Sequence, residues 1–549
     1  MKISDLAGKV APKSILIDVS KLVAAYFNDK PDPRIQAECV SFGTSGHRGC
    51  AFNRSFNEDH ILAITQAICN YRRQAGITGP LFIGFDTHAL SKPAMETALE
   101  VLAANGVEVM MAEGNEFTPT PVISHAIIGF NRLRPAGLSD GIVITPSHNP
   151  PGDGGFKYNP TTGGPASIEV TSWIETRANE FLRDSNRNVR RISISNALRA
   201  SSTHRYDFLN SYVNHLSGVI DLASLQNAGL KLAVDPLGGA GVNYWPRISE
   251  RYNLNIAVVN KLVDPTFSFM TVDWDGQIRM DPSSEYAMRP LLAMREKYDL
   301  SFACDTDHDR HGIVSKKSGL IPPNHFLAAA ISQIFLNRPK WSKTARIGKT
   351  IVSSSMIDRV AKLIARDVFE VPVGFKWFVD GLLSGSLGFC GEESAGATFL
   401  RIDGGVWTTD KDGFIPCLYA CEMMAKTGQD PGDLYAGITR ELGNSFYERR
   451  DAAASTTQRA ALGRIAANQI KVDALAGEPV EAVLTTAPGN ETPFGGVKVI
   501  AENGWFAARP SGTEDIYKIY AESFRNEGIL KTIIQEAEAA VTDALSGIV

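Results

Sequence analysis

Apolar residues recur along this chain in short runs separated by Gly- and Pro-rich turns. Between Asp59 and Gly76, Ile61, Ile64 and Ile68 fall at helical spacing. Pro80–Asp86 (PLFIGFD) is a short apolar run of strand type. Ser91 is placed to cap a helix with Pro93 in its first turn and a stop at Gly106, and Val107–Met111 reads as the next strand. Strand, helix, strand in that order predicts a right-handed βαβ unit on a parallel or mixed sheet. The pattern returns at Lys231–Val234 (ending in Asp235 and PLGGAG), at Asp299–Cys304 (ending in clustered aspartates), and at Arg346–Val352 (feeding a helix through Ile357, Val360 and Leu363). The echo of strand-then-Asp in GFDTH, AVDPLGG and ACDTDHD suggests related modules. Residues 1–40 read as a mostly helical arm. The tail from about residue 455 differs, with β-like runs at Val497–Ile500, Trp505–Ala508 and Tyr517–Ala521 and an amphipathic helix from about Glu527. That predicts a smaller α+β domain.

At 549 residues the chain exceeds one hydrophobic core. Domains hold roughly 100–200 residues, so three or four are expected. Composition shifts at 184–205, 318–345 and 428–460 are the candidate boundaries. A hydrophobic content of 44%, a charged content of 21% and a net charge of −5 argue against a nucleic-acid or membrane-surface binder. The start, MKISDLAGKVAPKS, has no apolar segment of a signal peptide, and no apolar run approaches the ~18 residues of a membrane span. Seven cysteines, odd in number and without C-x-x-C spacing, read as reduced thiols of a cytoplasmic protein.

Chemistry concentrates in six places. Thr145-Pro146-Ser147-His148-Asn149-Pro150-Pro151-Gly152-Asp153-Gly154-Gly155-Phe156-Lys157 follows the apolar strand Gly141–Ile144, so Ser147 lies past a strand's C-terminal end, where open α/β sheets bind ligands. A hydroxyl held rigid beside His148 and Lys157 suits a covalent nucleophile or phosphoryl carrier. Asp305, Asp307 and Asp309 alternate in a tight loop and can converge on one hard cation. Mg²⁺ fits best, because it keeps coordination positions for phosphate oxygens. An EF-hand is excluded by Arg310 and Lys316 at its sixth and twelfth positions. Gly391-Glu392-Glu393-Ser394-Ala395-Gly396 offers carboxylate and hydroxyl groups of the kind sugar hydroxyls need, against the plainer reading of a polar loop. Arg509-Pro510-Ser511-Gly512-Thr513-Glu514-Asp515, with Lys518 beyond, forms an anion cradle without a Walker lysine. Gly43-Thr44-Ser45-Gly46-His47-Arg48-Gly49 presents Arg48 to a phosphate. Lys376, inside Val373-Gly374-Phe375-Lys376-Trp377-Phe378, reads first as a snorkelling surface lysine and otherwise as an acid/base with a lowered pKa.

Taken together and in this order, G-T-S-G-H-R-G, T-P-S-H-N-P-P-x-D-G-G-x-K-Y-N, D-x-D-x-D-R, G-F-K-W-F, G-E-E-S-A-G and R-P-S-G-T-E-D resemble the α-D-phosphohexomutase superfamily over nearly the whole chain, most closely its bacterial phosphoglucomutase branch. The resemblance implies an α/β fold of three related α/β domains with mixed sheets plus a smaller C-terminal α+β domain, arranged around a central cleft. The domains would be 1–205 (arm and phosphoserine), 206–325 (metal), 326–440 (sugar) and 441–549 (phosphate). It implies phosphoryl transfer between O1 and O6 of glucose through phosphorylated Ser147, with Mg²⁺ on Asp305, Asp307, Asp309 and a phosphoserine oxygen, and glucose 1,6-bisphosphate as intermediate and activator. By the same resemblance, Glu392 and Ser394 hold sugar hydroxyls, and Arg509, Ser511, Gly512, Thr513 and Lys518 grip the non-reacting phosphate. Arg48, His148, Lys157 and Arg310 surround the reacting phosphoryl group, with Lys157 and Lys376 as proton-transfer candidates. Some relatives carry Arg where Lys518 stands; Lys518 keeps the charge and loses a bidentate fork. A homodimer acting on hexose phosphates, without nucleic acid or membrane, is the implied assembly. The competing readings are a phosphomannomutase, a phosphatase with water as acceptor, and a sugar-phosphate-binding protein that does no chemistry.

Overall fold

The computed structural model describes residues 3–43, 46–511 and 516–546. These form four sheets. In the first, the strands run in the order His47–Cys50, Asp153–Asn159, Asp140–Ile144, Leu81–Phe85, Val109–Ala112 and Thr203–Tyr206. The last four are mutually parallel where they pair, and Asp153–Asn159 is antiparallel to both of its neighbours. The central parallel strands Leu81–Phe85 and Asp140–Ile144 are buried on both faces, because the helices Glu58–Gln74, Ser91–Ala104 and Thr120–Asn131 cover them.

The second sheet orders Gly319–Ile321, His311–Ser315, Leu300–Cys304, Leu232–Asp235 and Ile256–Val258. The third orders Val368–Val371, Arg346–Thr350, Leu387–Gly391 and Ala397–Phe399. Both are mixed, parallel from one edge through the centre and antiparallel at the other edge. The fourth is antiparallel throughout, from Phe446–Ala453 to Ala474–Leu475, and the helix Glu527–Ser546 packs on it. Three mixed α/β domains and a smaller α+β domain are thus the architecture.

Two local readings change. The arm is mostly not helical: Val19–Asn28 is its α-helix, and Gly8, Pro12, Pro31 and Pro33 break the remainder into turns and extended chain. Its first residues run along the second domain, with Ser4, Gly8 and Ala11 donating amides to the carbonyls of Trp274, Val272 and Met270. Ser91 does not cap its helix. It is the first helical residue, and its hydroxyl turns back to Asp86.

Candidate active site

Ser147 sits in the hairpin between Asp140–Ile144 and Asp153–Asn159. Its φ of 60° lies in the left-handed region, a strained choice for a residue other than glycine. Lys157 stands opposite Val143 on the return strand, so the motif that read as a turn is half strand. Gly155 permits this hairpin, because a Cβ there would meet the Thr145 carbonyl oxygen at 2.0 Å.

The first and second sheets meet at this hairpin. Ser147 Oγ donates to Asp305 Oδ2 at 2.6 Å and lies 3.4 Å from His148 Nδ1. Asp305, Asp307 and Asp309 are all buried, and their ligating oxygens fall within 4.8 Å of one another. Thr120 holds the middle one through its hydroxyl (2.5 Å to Asp307 Oδ2) and its amide (2.9 Å to Asp307 O). Lys157 Nζ donates to Asp307 Oδ2 at 2.6 Å and Asp309 Oδ2 at 3.1 Å. Lys411 Nζ reaches Asp309 Oδ2 at 3.3 Å from the other side.

Burial and the mutual repulsion of Asp307 and Asp309 push Asp305 well above the carboxylate range. Burial would raise Asp309 as well, but Lys157 and Lys411 outweigh it and hold it low. Burial likewise opposes the charge on Lys157, yet Asp307 and Asp309 raise its pKa, so in this arrangement it is an ammonium. His148, buried beside Arg310, Arg48 and Arg279, is held well below its usual value and is neutral. Asp307 Oδ1 and Asp309 Oδ1 are buried without a hydrogen-bond partner. Three oxygen donors converge and two buried lone-pair sets have nothing to accept from, so this cluster could bind a hard divalent cation.

The turn carrying Glu392 is stitched to the aspartate loop. Arg310 bridges Gly396, the His311 amide donates to the Ala395 carbonyl at 3.1 Å, and Ala395 itself has φ 68°. Glu392 Oε1 accepts from the Gly374 amide at 3.0 Å, and burial raises its pKa. Ser394 is half-buried in the same turn. Arg48, on His47–Cys50, donates to Asn149 Oδ1 at 3.2 Å, and Arg310 Nε lies 3.9 Å from Asp309 Oδ1. Lys376 is half-buried in a short turn, its ammonium over the Trp377 ring at 5.6 Å, and burial lowers its pKa. In the fourth sheet Arg509 and Lys518 are register partners on neighbouring strands and so share a face. The Ser511 amide donates to Ile516 O at 2.9 Å. Gly512 and Thr513, and Thr44 and Ser45 of the first glycine-rich motif, lie outside the described residues.

Sequence reasoning missed Lys411 and Asp410. Their run, Thr408-Thr409-Asp410-Lys411-Asp412-Gly413, looks like an ordinary helix entry, and Asp412 does accept the amides of Phe414 and Ile415 at 2.9 and 3.3 Å. The signal was the pairing of Lys411 with a second, uncapping aspartate. Asp410 Oδ2 accepts from Asn159 at 3.0 Å, which fixes this segment against the Lys157 strand.

Four descriptions of one family match in order along the chain: phosphoglucomutase/phosphomannomutase alpha/beta/alpha domain I at residues 40–183, domain II at 210–319, domain III at 322–442 and the C-terminal domain at 461–540. The chain belongs to this family. Among other phosphoglucomutase/phosphomannomutase family members, the Komagataeibacter xylinus protein named phosphoglucomutase is 56% identical over 540 residues, covering 98% of this chain and 97% of that one. Two solved structures share the fold. A putative phosphomannomutase of Thermus thermophilus aligns with TM-score 0.72 at 24% identity, over 93% of this chain and 100% of that one. The open form of Paramecium parafusin aligns with TM-score 0.73 at 18% identity, over 94% and 95%. Among the described residues no helix is long and apolar enough to cross a membrane.

Proposed function

We propose that this family member is a phosphoglucomutase that interconverts glucose 1-phosphate and glucose 6-phosphate with Ser147 as phosphoryl carrier. The observation that carries the reading is the Ser147 hydroxyl placed 2.6 Å from Asp305, among three converging carboxylates and beside Lys157 and Arg310. Phosphorylated Ser147 gives its phosphoryl group to the free O6 of glucose 1-phosphate, and the O6 proton leaves to a neighbouring base. Glucose 1,6-bisphosphate then turns over in the cleft, and Ser147 takes the O1 phosphoryl group, leaving glucose 6-phosphate. The same bisphosphate restores a Ser147 that has lost its phosphate, so it serves as activator too.

Asp305, Asp307, Asp309 and a Ser147 or phosphoserine oxygen would hold Mg²⁺, whose charge would stabilise the negative oxygens of the phosphoryl group in transfer. Arg48, His148 and Arg310 border the same group. Lys157, charged as it stands, delivers rather than accepts a proton, and Lys376 and Lys411 are the further proton-transfer candidates. Glu392 and Ser394 orient the sugar, and Arg509, Ser511, Gly512, Thr513 and Lys518 hold the phosphate that is not reacting. The domains divide as 1–205, 206–325, 326–440 and 441–549. Seven unpaired thiols support a cytoplasmic setting, and a homodimer working on small hexose phosphates completes the proposal.

The test is turnover of glucose 1-phosphate with Mg²⁺ and a trace of glucose 1,6-bisphosphate, wild type beside Ser147→Ala. Activity that collapses in the variant is expected; activity that survives it overturns the carrier. The family description also names phosphomannomutase, and an axial against an equatorial hydroxyl is worth only a few kcal/mol at best. A higher kcat/KM on mannose 1-phosphate than on glucose 1-phosphate would replace the glucose assignment.

A further inference from the structure

Behind Ser147 lies a buried polar network that the phosphoryl chemistry does not use directly. Asp86 ends the strand Leu81–Phe85 and is 1% exposed. Its Oδ2 accepts from Thr145 Oγ1 at 2.7 Å, and Thr145 Oγ1 in turn accepts the Ser147 amide at 2.8 Å. Thr306, between two of the aspartates, donates its one hydroxyl proton to the Ser147 carbonyl at 2.6 Å while lying 3.0 Å from Asp86 Oδ2. The Ser147 amide is therefore referred through Thr145 to the Asp86 carboxylate, while Thr306 spends its proton on the Ser147 carbonyl and only packs against Asp86. Its Oδ1 is held by the Ser91 hydroxyl at 2.6 Å and the His88 amide at 3.0 Å.

His88 completes the arrangement. Its Nδ1 is 2.8 Å from Asp86 Oδ2 and its Nε2 is 3.1 Å from the Asn149 carbonyl. Neither acceptor can donate a proton. Both ring nitrogens must therefore carry one, and His88 is a buried imidazolium. The charged groups facing it are Asp86 and Asp153, both acidic, and its ring lies against Phe267 at 5.1 Å. Burial opposes the charge, but Asp86 outweighs it and raises the His88 pKa.

We propose that Asp86 and His88 are a positioning pair for Ser147: an ion pair that clamps residues 145–149 at two backbone points, the Ser147 amide through Thr145 and the Asn149 carbonyl through His88, and holds Ser147 in its left-handed conformation with its hydroxyl on Asp305. A residue other than glycine leaves that conformation unless its surroundings impose it. The sequence run Asp86-Thr87-His88-Ala89-Leu90-Ser91 thus serves the nucleophile from a different strand. Asp86 touches no reacting atom and acts through Thr145 and His88.

The proposal rests on Ser147 being the phosphoryl carrier, so Ser147→Ala runs beside every variant. Thr145→Val keeps the shape and removes the relay between Asp86 and the Ser147 amide, and Asp86→Asn removes the charge. Both are expected to lower kcat on glucose 1-phosphate by about tenfold or more with KM held within about twofold. Both should also lower the fraction of Ser147 phosphorylated by glucose 1,6-bisphosphate, read by intact mass. Thr145→Ser restores the hydroxyl and is expected to recover most of the rate, which a role in packing alone would not produce. Ring-nitrogen NMR of histidine-labelled wild-type enzyme is expected to show both His88 nitrogens still protonated at about pH 7, just above the ordinary imidazole value. A folded Thr145→Val enzyme with wild-type kcat overturns the clamp, and so does a neutral His88 ring at that pH, which also decides the matter if Asp86→Asn fails to fold. An active Ser147→Ala enzyme would instead remove the carrier assignment on which the clamp depends.

Discussion

Lys157 and the aspartates around it are a problem of charge in a buried place. The ammonium is 4% exposed and has Asp307 and Asp309 within 3.1 Å. Breaking a buried pair by removing one partner costs about 3–5 kcal/mol, since the other charge stays behind unpaired. In Lys157→Met the two carboxylates would face one another, with Lys411 3.3 Å from Asp309 Oδ2 and Arg310 3.9 Å from Asp309 Oδ1 as the remaining ion pairs of the cluster among the described residues. A divalent cation would relieve that repulsion without competing against an ammonium. Lys157→Met should therefore melt below wild type when magnesium is chelated. It should recover more of its midpoint than wild type gains when millimolar magnesium is added, and bind the metal more tightly by calorimetry. Equal magnesium-dependent shifts in the two proteins would show that the ammonium and the metal do not share the aspartates.

Among elements, the helix Phe414–Thr427 does most to join the second and third domains. Glu422 is bidentate to Arg338, 2.7 and 2.9 Å, with both side chains buried. The same carboxylate accepts the Asp221 amide at 2.9 Å, and Arg338 donates to the Val219 carbonyl at 3.0 Å. Burial would raise the Glu422 pKa, but Arg338 outweighs it and holds it below the usual value. A carboxylate depressed in the folded state adds stability above its unfolded pKa and loses it as pH falls through the folded one. Glu422→Gln, which strands the guanidinium, should lower unfolding stability by about 3–5 kcal/mol near neutral pH. The gap to wild type should narrow as the pH is taken below about 4. Denaturation curves that differ by the same amount at both pH values would exclude the ion pair as the cause. None of this was legible in the sequence, where Glu422 is one polar residue in an apolar helix and Arg338 lies in a candidate boundary. What the sequence did carry was local: the apolar strands, the glycine-bounded turns and the alternation that puts three aspartates in one loop. The strand Asp153–Asn159 escaped because its glycines and Lys157 do not look like a buried strand. Its burial comes from Phe56, against which a Cβ on Gly154 would collide at 2.4 Å, and from the opposing hairpin strand. Lys411 escaped because its partner Asp309 is a hundred residues earlier in the chain, and only the tertiary fold joins them.

At the scale of the molecule, the proposed phosphate-binding face (Arg509 and Lys518) and the proposed phosphoryl carrier Ser147 belong to different domains, so their separation depends on how the last domain docks. The docking surface is built on both sides of a buried lysine. Lys498 Nζ donates to the Ile351 carbonyl at 2.8 Å and Glu370 Oε1 at 2.7 Å, and lies 4.4 Å from the centre of the Trp505 ring. Trp505 donates to Glu522 at 2.7 Å, and Glu522 also accepts the Ser355 amide at 2.7 Å from the third domain. Ile351, Val352, Phe494, Trp505, Ala507 and Tyr520 form the apolar part of the same contact. Lys498 belongs to the strand Pro493–Ala501, in the sheet that carries Arg509 and Lys518. In Lys498→Met the side chain keeps its length, while Glu370 is left half-buried with Lys349 at 3.9 Å as its remaining ion pair among the described residues. The sheet that carries Arg509 and Lys518, the proposed phosphate face, would then be docked less firmly. Hydrogen exchange should quicken in residues 351–354 and 493–501 and stay unchanged in the Ser147 hairpin. KM for glucose 1-phosphate should rise by roughly tenfold, about 1.4 kcal/mol of lost binding, with kcat falling by less than that. The two readings must move together. Faster exchange at an unchanged KM would mean that the docking contact holds the domain without setting the distance between the two phosphate sites, and that distance would then have to be fixed by the chain around Gly443, where the last helix of the third domain ends at Leu442 and the backbone turns through φ 88°.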